Sequence, residues 1–140
     1  MGVFSPDDAR CLGGTGLHPS KEGEGGLEIG YFVAADEIGK GYATELAAVL
    51  TRVGFDCFGL DRVVIRVDPA NERSERVPQK LGYTLEATMR RRLPERNGSE
   101  LRDVNVWTMF RSELAGSPAA AYDYVAYDAL GRQALGPPAT

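Results

Sequence analysis

The period of the hydrophobic pattern changes in the first half of this chain, and that change constrains the fold more than any other feature. Leu27 to Val33 reads as a strand, and after a short linker the run Ile38-Gly39-Lys40-Gly41 opens a segment of different rhythm. There Ala43, Leu46, Ala47, Leu50 and Val53 or Gly54 fall on one helical face, while Thr44, Glu45, Thr51 and Arg52 face away. A strand there runs into a glycine turn that opens an amphipathic helix. The helix is predicted to end near Gly59, which takes the left-handed conformation at no steric cost.

On either side the pattern is strand-like. Ala9 to His18, after the turn-rich Ser5-Pro6-Asp7-Asp8, is glycine-rich but bounded like a strand, and it can pair with Leu27 to Val33 across the polar loop Pro19 to Gly26. Arg62 to Val67 is β-branched on both faces, as expected of a central strand. Asp68-Pro69-Ala70-Asn71 breaks it, and a short helix from Glu72 to Leu81 buries Val77 and Leu81. Pro78 predicts a kink or a late start there, because a proline inside a helix removes a backbone bond and costs about 3 kcal/mol. Tyr83 to Leu93 and Leu101 to Phe110 flank Asn97-Gly98, the clearest hairpin signal in the chain. Beyond it, Ser117-Pro118 and Gly136-Pro137-Pro138 mark a tail of which only Tyr122 to Leu135 is apolar enough to dock.

Composition narrows the class of function. With 140 residues and 43% hydrophobic side chains the chain is one globular domain able to bury its own core. Its net charge of -4 is the wrong sign for coating phosphate backbones, so nucleic acid is not an expected partner. Cys11 and Cys57 lack redox or zinc spacing and His18 is alone, so no metal is expected. No apolar run reaches membrane-span length and Met1 to Arg10 holds no signal-peptide core, which predicts a cytoplasmic protein without membrane contact.

The chemistry lies in the glycine turn. A helix N-terminus presents unpaired N–H groups and partial positive charge, so a phosphate there gains hydrogen bonds worth about 1.5–3 kcal/mol each. Gly39 and Gly41 let phosphates reach the backbone, although the same glycines could simply shape a turn. Neither the dinucleotide fingerprint nor the P-loop consensus is met, since a third glycine is missing and Lys40 is followed by Gly41.

Three segments in order, Glu28-Ile29-Gly30-Tyr31-Phe32-Val33, Gly39-Lys40-Gly41-Tyr42-Ala43-Thr44-Glu45, and Asn71-Glu72-Arg73-Ser74-Glu75-Arg76-Val77 leading to Lys80-Leu81-Gly82-Tyr83, resemble the GNAT superfamily of acyl-CoA-dependent N-acetyltransferases. The branch that acetylates ribosomal-protein N-termini is the most similar. The resemblance implies an α/β (α+β) fold, a mixed and mostly antiparallel central sheet with a CoA-binding helix and a second short helix. It covers about Ala9 to Glu113, so residues 1–113 are expected to form the acetyltransferase domain and 114–140 the tail. It also implies that acetyl-CoA is the cosubstrate and an amine the acceptor.

Residue by residue, it implies that the backbone of Gly39, Lys40, Gly41, Tyr42 and Ala43, following Ile38, cradles the CoA pyrophosphate. Pantetheine should lie along Tyr31, Phe32 and Val33, where that strand splays from Arg62 to Val67. Asn71 should bond the pantetheine arm, Ser74 should lie near the thioester sulfur, and Lys80 should meet a CoA phosphate. Each also has a structural reading: Asn71 as N-cap, Ser74 in a first turn, Lys80 as a solvated cation. Two departures stand out. Ile38 replaces the usual Gln or Arg, and Pro78 replaces a tyrosine acid, which leaves Ser74 as the donor to the leaving thiolate. The chain also starts near the family's second strand, with Met1 to Phe4 as a stub of the first, so an N-terminally truncated domain is expected.

Direct aminolysis needs a neutral amine. An α-amine of pKa ~7.8 costs about 1 kcal/mol to neutralise at pH 7 and a lysine of pKa ~10.4 about 4.6 kcal/mol, which favours a low-pKa acceptor. Glu28 is the preferred base, with His18 the other candidate. Arg90-Arg91-Arg92 either attracts an acidic partner or blunts a sheet edge. Two other functions remain open, a non-catalytic CoA-binding module and a transferase of a larger acyl group. Apolar surface at the missing wall would favour a homodimer.

Overall fold

The computed structural model describes residues 1–21, 23–95, 98 and 100–135. Six strands form one sheet: β1 (Gly2–Phe4), β2 (Cys11–Pro19), β3 (Gly26–Val33), β4 (Arg62–Val67), β5 (Thr84–Pro94) and β6 (Leu101–Phe110), in spatial order β1-β2-β3-β4-β6-β5. All neighbours are antiparallel except β3 and β4. That parallel pair is joined by helix α1 (Tyr42–Phe58), because parallel strands need a long crossover to bring the chain back. Helix α2 (Glu72–Leu81) follows β4.

Where β3 and β4 meet decides what the fold can hold. Their backbone pairing covers Gly26↔Arg62, Leu27↔Val63 and Glu28↔Val64, and there it ends, although β3 continues to Val33 and β4 to Val67. The sheet forks beyond Glu28. On the β2 side β3 stays paired to its end, from Pro19↔Leu27 to Gly13↔Val33. The glycines of β2 permit this close approach: a Cβ on Gly13 would lie 2.2 Å from the Phe32 carbonyl oxygen, and one on Gly14 would lie 2.4 Å from the Phe32 ring.

Both helices cover one sheet face. Val63, Ile65 and Val67 of β4 with Trp107 and Met109 of β6 pack against Ala47, Ala48, Leu50 and Phe55 of α1 and Val77 and Leu81 of α2. The buried stripe of α1 is rotated from the expected one. Thr51, expected to face away, is fully buried, and Leu46 is only half-buried. The hydroxyl of Thr51 is satisfied twice, by the Ala47 carbonyl at 2.6 Å and the Tyr83 phenol at 2.6 Å, which removes the cost of burying it. Gly59 ends α1 at φ 62°, as its sequence position predicts.

Pro78 does not break α2. The helix runs through it, with Pro78 buried, and Asn71 caps its start by accepting the Ser74 N–H at 3.2 Å. The Arg90–Arg92 run falls where β5 and β6 lose regular register: Arg91 takes φ 53° and its N–H donates to Asp103 at 3.0 Å. Asn97 of the expected hairpin turn and residues 136–140 of the expected tail lie outside the described residues.

The segment after 113 docks earlier than expected, from Leu114 to Tyr124, while Val125, Tyr127 and Leu130 of the stretch expected to dock are exposed. Short 3-10 turns at Arg111–Gly116 and Pro118–Ala121 bring Ala119 into the core, with Leu114 and Tyr122 packed against it. Arg52 of α1 donates to the Tyr122 carbonyl at 2.7 Å and stacks 5.3 Å above the Tyr124 ring. A small hairpin of β7 (Ala126–Tyr127) and β8 (Gln133–Leu135) follows. No helix among the described residues is long and apolar enough to cross a membrane.

Candidate functional site

The turn between β3 and α1 is built from a 3-10 turn (Ala35–Glu37), extended Ile38, and two glycines at positive φ, Gly39 at 88° and Gly41 at 90°. A Cβ at either glycine would meet nothing within 4 Å, so backbone angle and not crowding demands glycine here. Gly41 is the N-cap of α1 and brings no side chain to its first-turn N–H groups, which remain available to an anion.

Those groups border a cavity of about 710 Å³. Its β3 wall is Tyr31, Phe32 and Val33; its turn wall is Ile38, Gly39, Gly41, Tyr42 and Ala43; its α2 wall includes Asn71, Ser74 and Lys80. All the residues expected to hold the cosubstrate except Lys40 are thereby brought around one space, on the side of the fork that both helices cover. Ile38 and Phe32 are exposed apolar surface on its rim.

Two expected residues stand elsewhere. Lys40 does not line the cavity; its ammonium is turned to the Glu37 carboxylate at 2.8 Å, leaving only its backbone in the turn. Glu28 also lies off the cavity. It is the last β3 residue paired with β4, at the apex of the fork, and alternation with the core residue Ile29 points it to the face away from the helices. There it stands 3.9 Å from the Arg66 guanidinium and directly opposite His18 in the β2–β3 register. The two base candidates are therefore cross-strand neighbours.

Ser74 belongs to the cavity wall and to the fold together. Its backbone carbonyl accepts the Tyr31 phenol at 3.2 Å, tying β3 to α2 across the mouth of the fork. Burial pushes the Tyr31 hydroxyl well above its ordinary range, so it stays protonated and a donor.

The further wall residues that carry charge are Glu37, Arg73 and Arg76. The arginines share α2's cavity face with Lys80, a spacing that helical geometry makes readable once the helix is placed. Glu37 has no such local signal. Its side chain is fully buried, and Lys40 and then Arg10 hold its carboxyl below the usual carboxylate range.

Residues 1–84, the span from β1 to the start of β5, match the acetyltransferase (GNAT) domain family. The chain belongs to the GNAT acetyltransferase family. This GNAT domain is 30% identical over 114 residues to p20 of Bacillus licheniformis, an uncharacterised N-acetyltransferase, covering 81% of this chain and 63% of the relative. It is 32% identical over 83 residues to YdaF of Bacillus subtilis, named as a proposed ribosomal N-acetyltransferase, covering 59% of this chain and 45% of the relative. Among solved structures, a GNAT-family acetyltransferase from Bacillus anthracis superposes with TM-score 0.71 and 28% identity, covering 80% of this chain and 66% of the other. A mutant form of the spermidine/spermine N-acetyltransferase SpeG from Vibrio cholerae matches at TM-score 0.71 and 16% identity over 82% of this chain and 68% of the other, a likeness of fold. The GNAT domain spans about three-fifths of the length of the curated relatives it matches over most of its own length.

Proposed function

We propose that this chain transfers an acetyl group from acetyl-CoA to a primary amine. The observation that carries the reading is the convergence of the uncapped α1 N-terminus, the two positive-φ glycines and the α2 face carrying Asn71, Ser74 and Lys80 on one cavity beside a forked sheet. Acetyl-CoA supplies an activated thioester; in the transfer a C–N bond forms, the C–S bond breaks, the amine loses a proton and the sulfur gains one. The turn backbone holds the pyrophosphate, Tyr31 to Val33 line the pantetheine path, and Lys80 answers a phosphate. Ser74 donates to the leaving sulfur. Glu28, at the apex of the fork on the opposite face, takes the amine proton, so that donor and acceptor approach from two sides of the sheet.

Positioning does most of this work, since well-oriented reactants gain about 7–11 kcal/mol from proximity. A low-pKa α-amine is the acceptor that asks least of the base, in keeping with the ribosomal relative. The test is release of free CoA thiol with a peptide bearing a free α-amine, the same peptide Nα-blocked with a lysine, and a polyamine. Turnover with the free α-amine supports the proposal; no turnover with any of them contradicts it.

Arg73, beside Ser74 on the cavity wall, favours a second reading in which the acyl group carries a carboxylate. Higher kcat/KM with succinyl-CoA than with acetyl-CoA would establish it. A homodimer is a further part of the proposal: exposed Met1 and Phe4 border an apolar groove of about 410 Å³ between β1, β2 and α1. Light scattering that gives twice the mass of one chain supports it, and a monomer contradicts it.

A further inference from the structure

Glu37 is a fully buried carboxylate on the wall of a cavity assigned to a polyphosphate. Like charges repel, so a negative group there weakens an anion site unless it does something else. Its neighbours show what. Oε2 accepts from Lys40 Nζ at 2.8 Å, and the guanidinium of Arg10, just ahead of β2, holds Oε1. Lys40 stands between Gly39 and Gly41, both at positive φ and both with open space where a Cβ would be. Nothing about the glycines themselves restricts their conformations, and ordering such a turn on binding costs entropy.

We propose that Glu37 is the positioning residue of the phosphate turn: through Lys40 and Arg10 it fixes Gly39 to Ala43 to the β2 end of the sheet, in the conformation that receives the CoA pyrophosphate. The inference rests on the acetyl-CoA reading above. It explains why Lys40, the cation inside the turn, is turned from the cavity while its neighbours line it. The Glu37–Lys40–Arg10 group also keeps a net positive charge.

A purely electrostatic role and a positioning role give opposite signs for Glu37→Gln. Removing a negative charge beside a phosphate site tightens binding if charge is all that matters; releasing Lys40 and Arg10 loosens it if the turn depends on them. The experiment is calorimetric titration of acetyl-CoA into the wild-type chain, E37Q, D36N and K40M, with amide hydrogen exchange on each unliganded protein. D36N removes the same charge from an exposed neighbour 3.6 Å from Arg10. We expect E37Q to bind about tenfold more weakly, about 1.4 kcal/mol, with faster exchange at residues 39–43 and unchanged exchange in β4. D36N should stay within about twofold of wild type, since an exposed charge is largely screened. K40M keeps the backbone N–H and tests the same anchor if E37Q does not fold; its loss should persist at high salt, because the side chain is not a phosphate contact.

Tighter or unchanged binding by a folded E37Q, or a K40M loss that vanishes at high salt, overturns the inference and leaves the acetyl-CoA reading standing. Wild-type protein that binds no acetyl-CoA overturns that reading, and exchange at residues 39–43 in E37Q then decides the anchor by itself.

Discussion

The Tyr31 phenol on β3 donates to the Ser74 carbonyl on α2 at 3.2 Å, and Ser74 is the residue whose carbonyl Pro78 leaves without its helical N–H. A proline inside a helix frees the carbonyl four residues back. Here the freed group is taken by a side chain from the other arm of the fork, which lets α2 continue and holds β3 against it. Tyr31→Phe should destabilise the fold by about 1 kcal/mol, the net worth of a hydrogen bond to a partly buried carbonyl. In a Pro78→Ala background, where the helical N–H returns, the same change should cost clearly less. Urea unfolding of the four proteins measures the coupling; equal costs in both backgrounds would refute the compensation.

Gly41→Ala separates turn strain from ligand access. A Cβ there meets open space but sits on a φ of 90°, so the fold should lose about 1 kcal/mol, as it should for Gly59→Ala at the other end of α1. Only Gly41→Ala should also weaken acetyl-CoA binding, since the proposed phosphate site puts the ligand against the turn backbone where the methyl group would stand. Parallel melts and titrations compare the two, and an equal binding loss in Gly59→Ala would show that stability alone is read.

Glu28 and Ser74 should behave differently from the turn. Glu28→Gln is expected to lower kcat about a hundredfold, within the 10²–10⁴ typical of a positioned base, and to abolish the acid limb of the pH profile while leaving KM for acetyl-CoA unchanged. Ser74→Ala should lower kcat with the acid limb intact. An unchanged profile in Glu28→Gln removes it from the mechanism and turns attention to His18, its partner across β2 and β3.

Glu37 gives stability a pH dependence of known sign. Lys40, then Arg10, depress its folded pKa below the ordinary 4.5. Its contribution is therefore complete above about the unfolded value and is lost as pH falls through the depressed one. The melting-temperature gap between wild type and Glu37→Gln should be constant at neutral pH and narrow below about pH 4.5. A gap that widens on acidification would contradict the ion-pair assignment.

Ending the chain at Glu113 should not be silent. It strips Ala119 from the core together with Tyr122, and it leaves Arg52 without the Tyr122 carbonyl and the Tyr124 ring. A drop of several degrees in the melting midpoint is expected, a shift of the size that about 1 kcal/mol produces in a domain of this class. An unchanged midpoint would mean that the segment adds nothing.

How far the sequence could be read depended on how local each determinant was. The change of period at Gly41, the β-branched Arg62–Val67 strand and the Gly59 cap are each set by neighbouring residues, and the structure has them where periodicity and glycine chemistry put them. Thr51 was legible only as a polar residue, because the Tyr83 phenol that permits its burial lies beyond β4 and α2 in sequence. Pro78 reads as a breaker for the same reason: the donor that replaces its N–H is Tyr31. The fork of β3 and β4 follows from pairing between distant segments, so only the family resemblance implied it, and the contact of Glu37 with Arg10 joins segments that no local pattern links. The cavity side of α2, by contrast, is written in the spacing of Arg73, Arg76 and Lys80.

The most direct measurement is a thermal-melt titration of this chain with acetyl-CoA, with ATP as the control. At about 100 times its dissociation constant a ligand held by the folded state alone adds ~2.7 kcal/mol, which moves the midpoint by several degrees. A shift with acetyl-CoA and none with ATP is the expected result. A cooperative melt that acetyl-CoA leaves in place would contradict the assignment of this cavity to the acyl donor.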